Sequence, residues 1–244
     1  MIVASIIVTT AHLSSDVTAK CLEAVERNTS LPYELFLIRD EPGHFGFSRE
    51  NNRVMRIAEG KYLVLLNDDC FVHPKWLDRM VKKADSDERI GIVGAKLYGL
   101  DGKIQYEADK AGPDGDIDNI AFALVLIKRN VLDKIGFMNE NYRFGSEDDE
   151  YCERAKQAGF RLVISDATAT HLRNNSIDMS AMLLKTRGAL FVKRSRGNSL
   201  LSTFPMMGYY LTIPLRQVVK RKAPAVYFAL RRHSGWARRM LIGF

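Results

Sequence analysis

Cysteine is scarce in this sequence, with three in 244 residues. Cys21, Cys70 and Cys152 are odd in number, far apart and without Cys-x-x-Cys spacing. This pattern argues against a disulfide framework and against a zinc site. A reducing cytosol is therefore the expected compartment.

The sequence also lacks a long uninterrupted apolar run. The N-terminal segment, MIVASIIVTTAH, has no basic region and no small-residue cleavage site and is too short to span a bilayer, so we expect it to form a buried strand. Residues 197–215 form a nineteen-residue uncharged stretch, but Pro205 and Pro214 interrupt it. The prolines disfavour a spanning helix and favour a re-entrant or surface-lying segment.

Acidic residues are absent after Asp178. Residues 1–180 carry 23 basic and 29 acidic residues, a net charge of −6, whereas residues 181–244 carry a net charge of +13. This split predicts two surfaces with different partners, unlike a uniformly basic nucleic-acid-binding protein. We expect one domain over residues 1–178 and a basic helical extension over residues 179–244.

The basic extension mixes Lys and Arg with aromatic and aliphatic residues at helical spacing. Lys220-Arg-Lys222, for example, is followed by Tyr227, Phe228 and Trp236. This composition is typical of a helix that lies on an anionic membrane, where each basic residue contributes about 1 kcal/mol. The alternatives are a solvated basic helix packed on the first domain and, less favoured, nucleic-acid binding.

The first 165 residues alternate short β-branched runs with amphipathic segments, which predicts an α/β fold with a mainly parallel sheet flanked by helices. The predicted strands are Val3–Thr10, Glu34–Arg39, Tyr62–Leu66, Ile90–Ala95, Ala121–Ile127 and Arg161–Ile164. The predicted helices start near Ser15, run from Ser48 (as N-cap) to Gly60, from Pro74 to Ala84, and from Glu147 to Ala158. A small hairpin is expected over Tyr98–Tyr106 and a mobile loop over Ala108–Asn119.

Three polar residues end the third predicted strand, in Tyr62-Leu-Val-Leu-Leu-Asn-Asp-Asp69. Ligands of open parallel sheets bind beyond the carboxyl ends of the strands, so these side chains are expected in a site. Hard oxygen ligands suit Mg²⁺ or Mn²⁺, and such an ion would neutralise a diphosphate. A polar turn without function is the alternative reading.

Four carboxylates, Glu147 to Glu150, open the last predicted helix. Acidic residues are favoured at a helix N-terminus and Ser146 could act as the cap, so a purely structural reading exists. Mutual repulsion among four acids, however, favours proton uptake by one of them, as a general base requires. His171, just past the last predicted strand, is of interest because it returns to the same sheet edge.

Together these motifs resemble the inverting family 2 glycosyltransferases of GT-A fold, particularly the small bacterial enzymes that resemble rhamnosyltransferases. The resemblance runs from Val3 to Ser176. Its motifs are Ile6-Ile-Val-Thr-Thr10, Gly46-Phe-Ser-Arg-Glu-Asn-Asn-Arg53 with Ala58-Glu-Gly60, Asn67-Asp-Asp69, Gly136-Phe-Met-Asn-Glu140, Glu147-Asp148 and His171. Residues 1–178 would then be the GT-A catalytic domain.

The resemblance implies a role for each matching residue. It implies Asp148 as catalytic base with Glu147 beside it, and Asp69 and His171 as ligands of Mn²⁺ or Mg²⁺. The implied donor-binding residues are Thr9, Ala11, Asp40, Arg49, Asn52, Asn67 and Asp68. The implied acceptor-side residues are Glu140, Phe144 and Asp149.

Four positions depart from the family pattern. Asn67 replaces the first acid of the DxD-type motif, Val54 stands at a common glycine, Arg39 precedes Asp40, and Glu150 replaces an aspartate. None of these changes removes a residue needed for catalysis. The carboxylates at 69 and 148 are expected to converge on one cleft.

The resemblance implies a nucleotide diphosphate sugar donor (a UDP-, dTDP- or GDP-sugar) and, with the basic tail, a glycan or lipid-linked acceptor at an anionic membrane. We expect a cytoplasmic protein, peripheral on the cytoplasmic face, that acts in surface polysaccharide or glycolipid assembly. One alternative is a sugar-phosphate nucleotidyltransferase, but Thr9-Thr-Ala-His-Leu-Ser14 lacks the Gly-rich basic loop of that class. The other is a non-enzymatic membrane or nucleic-acid adaptor.

Overall fold

The computed structural model describes residues 1–10, 15–39, 46–106, 108–142 and 147–172. They belong to a compact unit of Met1–Arg143 and Glu147–Asn175. The second unit, Phe144–Ser146 and Ser176–Phe244, lies outside the described residues, as do the predictions made for the basic extension. No helix in the described ranges has the length and apolarity to cross a bilayer.

The described residues form one seven-stranded sheet in the order β2-β1-β3-β6-β5-β7-β4. The strands are β1 (Ala4–Thr10), β2 (Tyr33–Arg39), β3 (Tyr62–Asn67), β4 (Cys70–Val72), β5 (Ile90–Tyr98), β6 (Leu124–Lys128) and β7 (Arg161–His171). Three pairings are parallel, while β6 and β4 each run antiparallel to their neighbours. Five of these seven strands therefore run in one direction, which confirms the predicted mainly parallel sheet.

Helices cover both faces of the sheet. They are α1 (Asp16–Asn28), α2 (Phe47–Met55), α3 (Trp76–Asp85), α4 (Arg129–Ile135) and α5 (Glu147–Gln157). One core cluster holds the apolar faces of α1 and α3, and a second holds those of α2, α4 and α5. Alternate residues of β3 enter the two clusters, Val64 the first and Leu65 the second. Burial on both faces explains the continuous apolar run of this strand.

Most predicted elements are confirmed, and Ser15 is the N-cap of α1, its hydroxyl accepting from the Thr18 amide. The second helix was wrongly bounded. Gly46 is its N-cap, Ser48 lies buried within its first turn, and the helix ends at Met55, short of Gly60. Two short elements, β4 and α4, were not predicted.

The last strand, β7, extends past its predicted end at Ile164. The alternating sequence pattern stops at a bulge, and the strand continues beyond it. The pairing of β7 with β5 shifts between Gly94 and Lys96, whose partners are Ile164 and Thr168. Within the bulge the Ser165 hydroxyl donates to the Gly94 carbonyl and accepts from the Ala167 amide. The strand then resumes and carries His171 as its final residue.

The segment from Tyr98 to Asn119 forms the predicted hairpin and a loop. A bridge joins Tyr98 to Ile104, and Gly102 adopts a φ of 72° at the turn. In the loop, backbone hydrogen bonds join Ile117 to Leu162 and Gly115 to Ile164. The loop is thereby attached to the first half of β7.

Gly60 permits the close approach of the α2–β3 turn to β1. Its amide donates to the Ser5 hydroxyl at 2.9 Å. A Cβ atom at this glycine would lie 2.5 Å from the Ser5 nitrogen and 2.6 Å from the Ala4 carbonyl carbon. These are backbone atoms of a central strand and cannot move without disturbing the sheet.

We therefore predict that Gly60→Ala lowers the free energy of unfolding by about 3 kcal/mol, measured by urea denaturation. Gly112→Ala is the matched control, because its nearest atom would be the Asp116 carbonyl oxygen at 3.8 Å. The control should change stability by less than about 0.5 kcal/mol. Equal midpoints for the two variants would contradict the prediction.

Candidate functional site

The turn after β3 carries the predicted donor and metal residues. Asn67 is the last residue of β3, Cys70 is the first of β4, and Asp68 and Asp69 form the connection. Asn67 and Asp68 are half-buried, whereas Asp69 is 8% exposed. A carboxylate this buried requires a polar or cationic partner.

That partner is His171, which the pairing of β4 with β7 places beside Asp69. Cys70 lies opposite His171 in the register, and the Leu172 amide donates to the Asp69 carbonyl oxygen at 3.0 Å. As a result, His171 Nε2 lies 3.2 Å from Asp69 Oδ1. The structure thus brings together the two residues that the sequence predicts as metal ligands.

The donor atoms of Asp69, Cys70 and His171 all lie within 4.8 Å of one another. Burial, reinforced by the charge of Asp69, raises the pKa of the Cys70 thiol well above its usual value. Sulfur is moreover a soft ligand, whereas Mg²⁺ and Mn²⁺ prefer oxygen. The remaining oxygen and imidazole nitrogen suit Mn²⁺ and, through the carboxylate, Mg²⁺.

Asp68 is attached to the start of α1 through hydroxyl groups. Its Oδ2 accepts from the Thr18 hydroxyl at 2.9 Å. Thr18 Oγ1 in turn contacts Thr10 Oγ1 at 3.0 Å and Ser15 Oγ at 2.7 Å. Because Thr18 has one proton to give and Ser15 accepts from an amide, both neighbours can donate to Thr18. The network fixes Asp68 relative to the end of β1.

At the start of α5, three of the four acidic residues contact different partners. Glu150 forms an ion pair with Arg154, Asp149 accepts from the Asn119 amide at 2.5 Å, and Asp148 Oδ1 accepts from the Asp149 backbone at 2.9 Å. All four residues are partly exposed, although Oε2 of Glu147 is buried. The structural alternative, capping by Ser146, lies outside the described residues.

A small recess open to solvent lies beside β5. Its lining residues are Ala95, Leu97, Gln105, Tyr106, Ala108, Asn119, Ile120, Ala121 and Ile164. Gln105 contacts His171 Nδ1 at 2.8 Å, and Asn119 holds Asp149. The recess therefore lies next to one neighbour of His171 and one neighbour of Asp149. The convergence of Asp69 and Asp148 on one cleft stays a prediction.

Asn52 has contacts that differ from the predicted direct donor contact. It is buried, and its Oδ1 accepts from the Met138 amide while its Nδ2 donates to the Met138 carbonyl and to Glu140 Oε1. These bonds use the acceptor and both protons of the amide. Asn52 thus joins α2 to the predicted acceptor-side segment, and exposed Glu140 is held by it.

Two further predicted donor residues, Thr9 and Arg49, contact residues of α2. Thr9 Oγ1 contacts buried Asn51, and exposed Arg49 pairs with Glu50. Ala11, Asp40 and Phe144 lie outside the described residues. The roles of all these residues stay predictions.

Three site residues escaped the sequence analysis: Thr18, Gln105 and Asn119. Each acts through a contact with a predicted residue that is distant in sequence. No local motif marks them. In the sequence, only the glycines of the hairpin before Gln105 indicated that the chain reverses direction there.

Comparison with known proteins agrees with this geometry. Residues 14–139 match the model of glycosyl transferase family 2. Among curated proteins, the chain is 28% identical over 145 residues to an uncharacterized protein of Sinorhizobium fredii and 27% identical over 150 residues to the O-antigen biosynthesis protein RfbC of Myxococcus xanthus. These matches cover 49% and 51% of this chain but 16% and 12% of the relatives, so the chain spans a small part of their length.

Solved glycosyltransferases share the fold. GalNAc-T7 with UDP, GalNAc and Mn²⁺ superimposes with a TM-score of 0.59 at 13% identity, over 80% of this chain and 50% of that one. The Pyrobaculum calidifontis mannosyltransferase PcManGT, in complex with GDP-Man and Mn²⁺, gives 0.58 at 14% identity, over 96% and 76%. Since the family match covers more than half of the sequence and the architecture is that of these GT-A enzymes, the chain belongs to glycosyl transferase family 2.

Proposed function

We propose that this chain transfers a sugar from a nucleotide diphosphate donor to an acceptor hydroxyl, with metal dependence and with inversion at the anomeric carbon. The observation that carries the proposal is the buried Asp69–His171 pair at the strand ends. Family membership supports the reaction class. The sheet edge is where ligands of such folds bind.

Asp69 and His171 would hold the divalent ion. When bound, the ion would supply positive charge to the departing diphosphate. His171 Nε2 and Asp69 Oδ1 lie 3.2 Å apart, close enough for both atoms to bind one cation. Asn67 and Asp68, next to this pair, would contact the donor.

Asp148 would take the proton from the acceptor hydroxyl as that oxygen attacks the anomeric carbon. One attack from the face opposite the diphosphate inverts the configuration, so the protein needs one base and one leaving-group site. Glu147 is next to this base in the sequence, and Asp149 and Glu140 would contribute to the acceptor side. Asn52 would keep the Glu140 segment attached to α2 during the reaction.

The donor class is supported by the relatives whose structures contain UDP or GDP-Man. The match to an O-antigen biosynthesis protein supports an acceptor in surface polysaccharide or glycolipid assembly. The basic extension would dock on an anionic membrane at the cytoplasmic face, which would bring the enzyme to a lipid-linked acceptor.

Asp148→Asn should reduce kcat by about 10²–10⁴-fold, because the amide cannot accept the acceptor proton. Nucleotide release from a panel of UDP-, dTDP- and GDP-sugars with Mn²⁺ measures the rate. Donor affinity should stay within about threefold, since the base acts on the acceptor. Asp133→Asn, an exposed change on α4, is the control, and wild-type turnover in Asp148→Asn would refute the assignment.

Asp69→Asn should weaken Mn²⁺-dependent donor binding by at least about tenfold, because it removes the charged ligand from the predicted site. Thermal shift with nucleotide sugar, with and without Mn²⁺, measures the effect. In the unaltered protein a suitable donor should raise Tm only when Mn²⁺ is present. Asp101→Asn in the exposed hairpin is the control, and an unchanged Mn²⁺ response in Asp69→Asn would contradict the proposal.

The full-length chain should sediment with vesicles that contain anionic phospholipid and remain in solution with neutral phosphatidylcholine vesicles. Binding should weaken as salt rises, because surface attraction is screened beyond about 8 Å at physiological ionic strength. Equal partitioning to both vesicle types would show that charge on the extension does not direct membrane docking.

A further inference from the structure

The hairpin after β5 delivers the amide of Gln105 to the buried imidazole of His171. Gln105 Oε1 lies 2.8 Å from His171 Nδ1, and Gln105 Nε2 donates to the His171 carbonyl oxygen at 3.1 Å. One side chain therefore contacts both the ring and the backbone of the same residue. His171 is 3% exposed, so little water reaches these groups.

These two contacts determine where the imidazole proton lies. A backbone carbonyl only accepts, so the end of the Gln105 amide that faces it must be the NH₂ group. The other end is then the amide oxygen, which also only accepts. Nδ1 of His171 must therefore carry a proton and donate it to Gln105. In the neutral ring, Nε2 is left with its lone pair directed toward Asp69.

The hairpin holds Gln105 in this position through its backbone. The backbone N–H of Gln105 donates to the Leu97 carbonyl at 2.8 Å, and the backbone N–H of Gly99 donates to the Lys103 carbonyl at 2.9 Å. The next residue, Tyr106, has a φ of 53°, which is rare outside glycine, and its ring centroid lies 5.7 Å from that of His171. A strained residue of this kind persists where the surrounding structure holds it, and such residues cluster at functional sites.

We propose that Gln105 is a positioning residue for the metal site: its amide fixes His171 with the proton on Nδ1 and so presents Nε2, beside Asp69, to a divalent cation. The inference rests on the metal dependence proposed above. It adds a contact that neither the family motifs nor the local sequence around Gln105 indicates. Outer contacts of this type set the orientation and basicity of metal-binding histidines.

The test compares Gln105→Leu, which removes both hydrogen bonds at similar size, with Gln105→Glu, which keeps an acceptor for Nδ1 but loses the donor to the His171 carbonyl. Mn²⁺ alone is titrated into the full-length protein and followed by electron paramagnetic resonance. Gln105→Leu should weaken Mn²⁺ binding about 10–100-fold, and Gln105→Glu should retain the affinity or exceed it. Gln157→Leu, the same change on the exposed end of α5, should bind like the unaltered protein.

Two further readouts separate positioning from general damage. In the metal-free protein, ¹⁵N chemical shifts should report a proton on Nδ1 of His171, and this preference should be lost in Gln105→Leu. Turnover of Gln105→Leu should approach the unaltered kcat at saturating Mn²⁺, with the defect confined to the Mn²⁺ concentration required. If Gln105 had only a structural role, Gln105→Leu would lower both the Mn²⁺ affinity and the kcat at saturating Mn²⁺.

Equal Mn²⁺ affinity in Gln105→Leu and the unaltered protein would overturn the inference, as would equal loss in Gln105→Glu and Gln105→Leu. If the unaltered protein binds no Mn²⁺, the proposed metal dependence fails and this inference fails with it. If Mn²⁺ binds as expected but no nucleotide sugar is turned over, the proposed reaction fails while the role of Gln105 stands.

Discussion

The antiparallel pairing of β4 with the end of β7 is the constraint on which the candidate site depends. A three-residue strand directly after the Asp68–Asp69 connection would be a minor feature elsewhere. Here it sets Cys70 opposite His171 and so fixes the neighbouring carboxylate against the imidazole in a nearly dry environment. Asp69 and His171, about a hundred positions apart in the sequence, meet because the register of the β4–β7 pairing places them side by side.

The three-layer packing explains why the polar residues gather where they do. Helices on both faces bury the side chains of the central strands, so hydrogen-bonding groups are displaced to the strand ends. Thr10, Asn67 and His171 end strands that run in the same direction and therefore reach the same edge. The loop before β6 and the hairpin after β5 then close the side of the recess with Asn119 and Gln105. The same packing therefore buries the apolar side chains and gathers the polar side chains at the strand ends.

Much of this could be predicted from the sequence, for physical reasons that also explain the failures. The buried strand before Asn67 and the acidic helix start are local patterns with strong periodicity, and both appeared as expected. The end of β7 was missed because the bulge at Ser165–Ala167 breaks the alternation, and β4 was missed because three residues carry no period. The donor role of Asn52 stays a prediction, but its contacts with a segment more than eighty positions away have no signal in the local sequence. Gln105 belongs to the same class, since its partner is set by tertiary structure alone.

The hydrogen bonds between Asn52 and the Met138 backbone have a consequence for attempts to alter specificity. Because one amide bonds α2 to the Met138 backbone in both directions, the predicted donor-side and acceptor-side segments are held together. A segment taken from a relative to replace Gly136–Glu140 would therefore need asparagine at position 52 and the same backbone path at position 138, whatever side chains it brings.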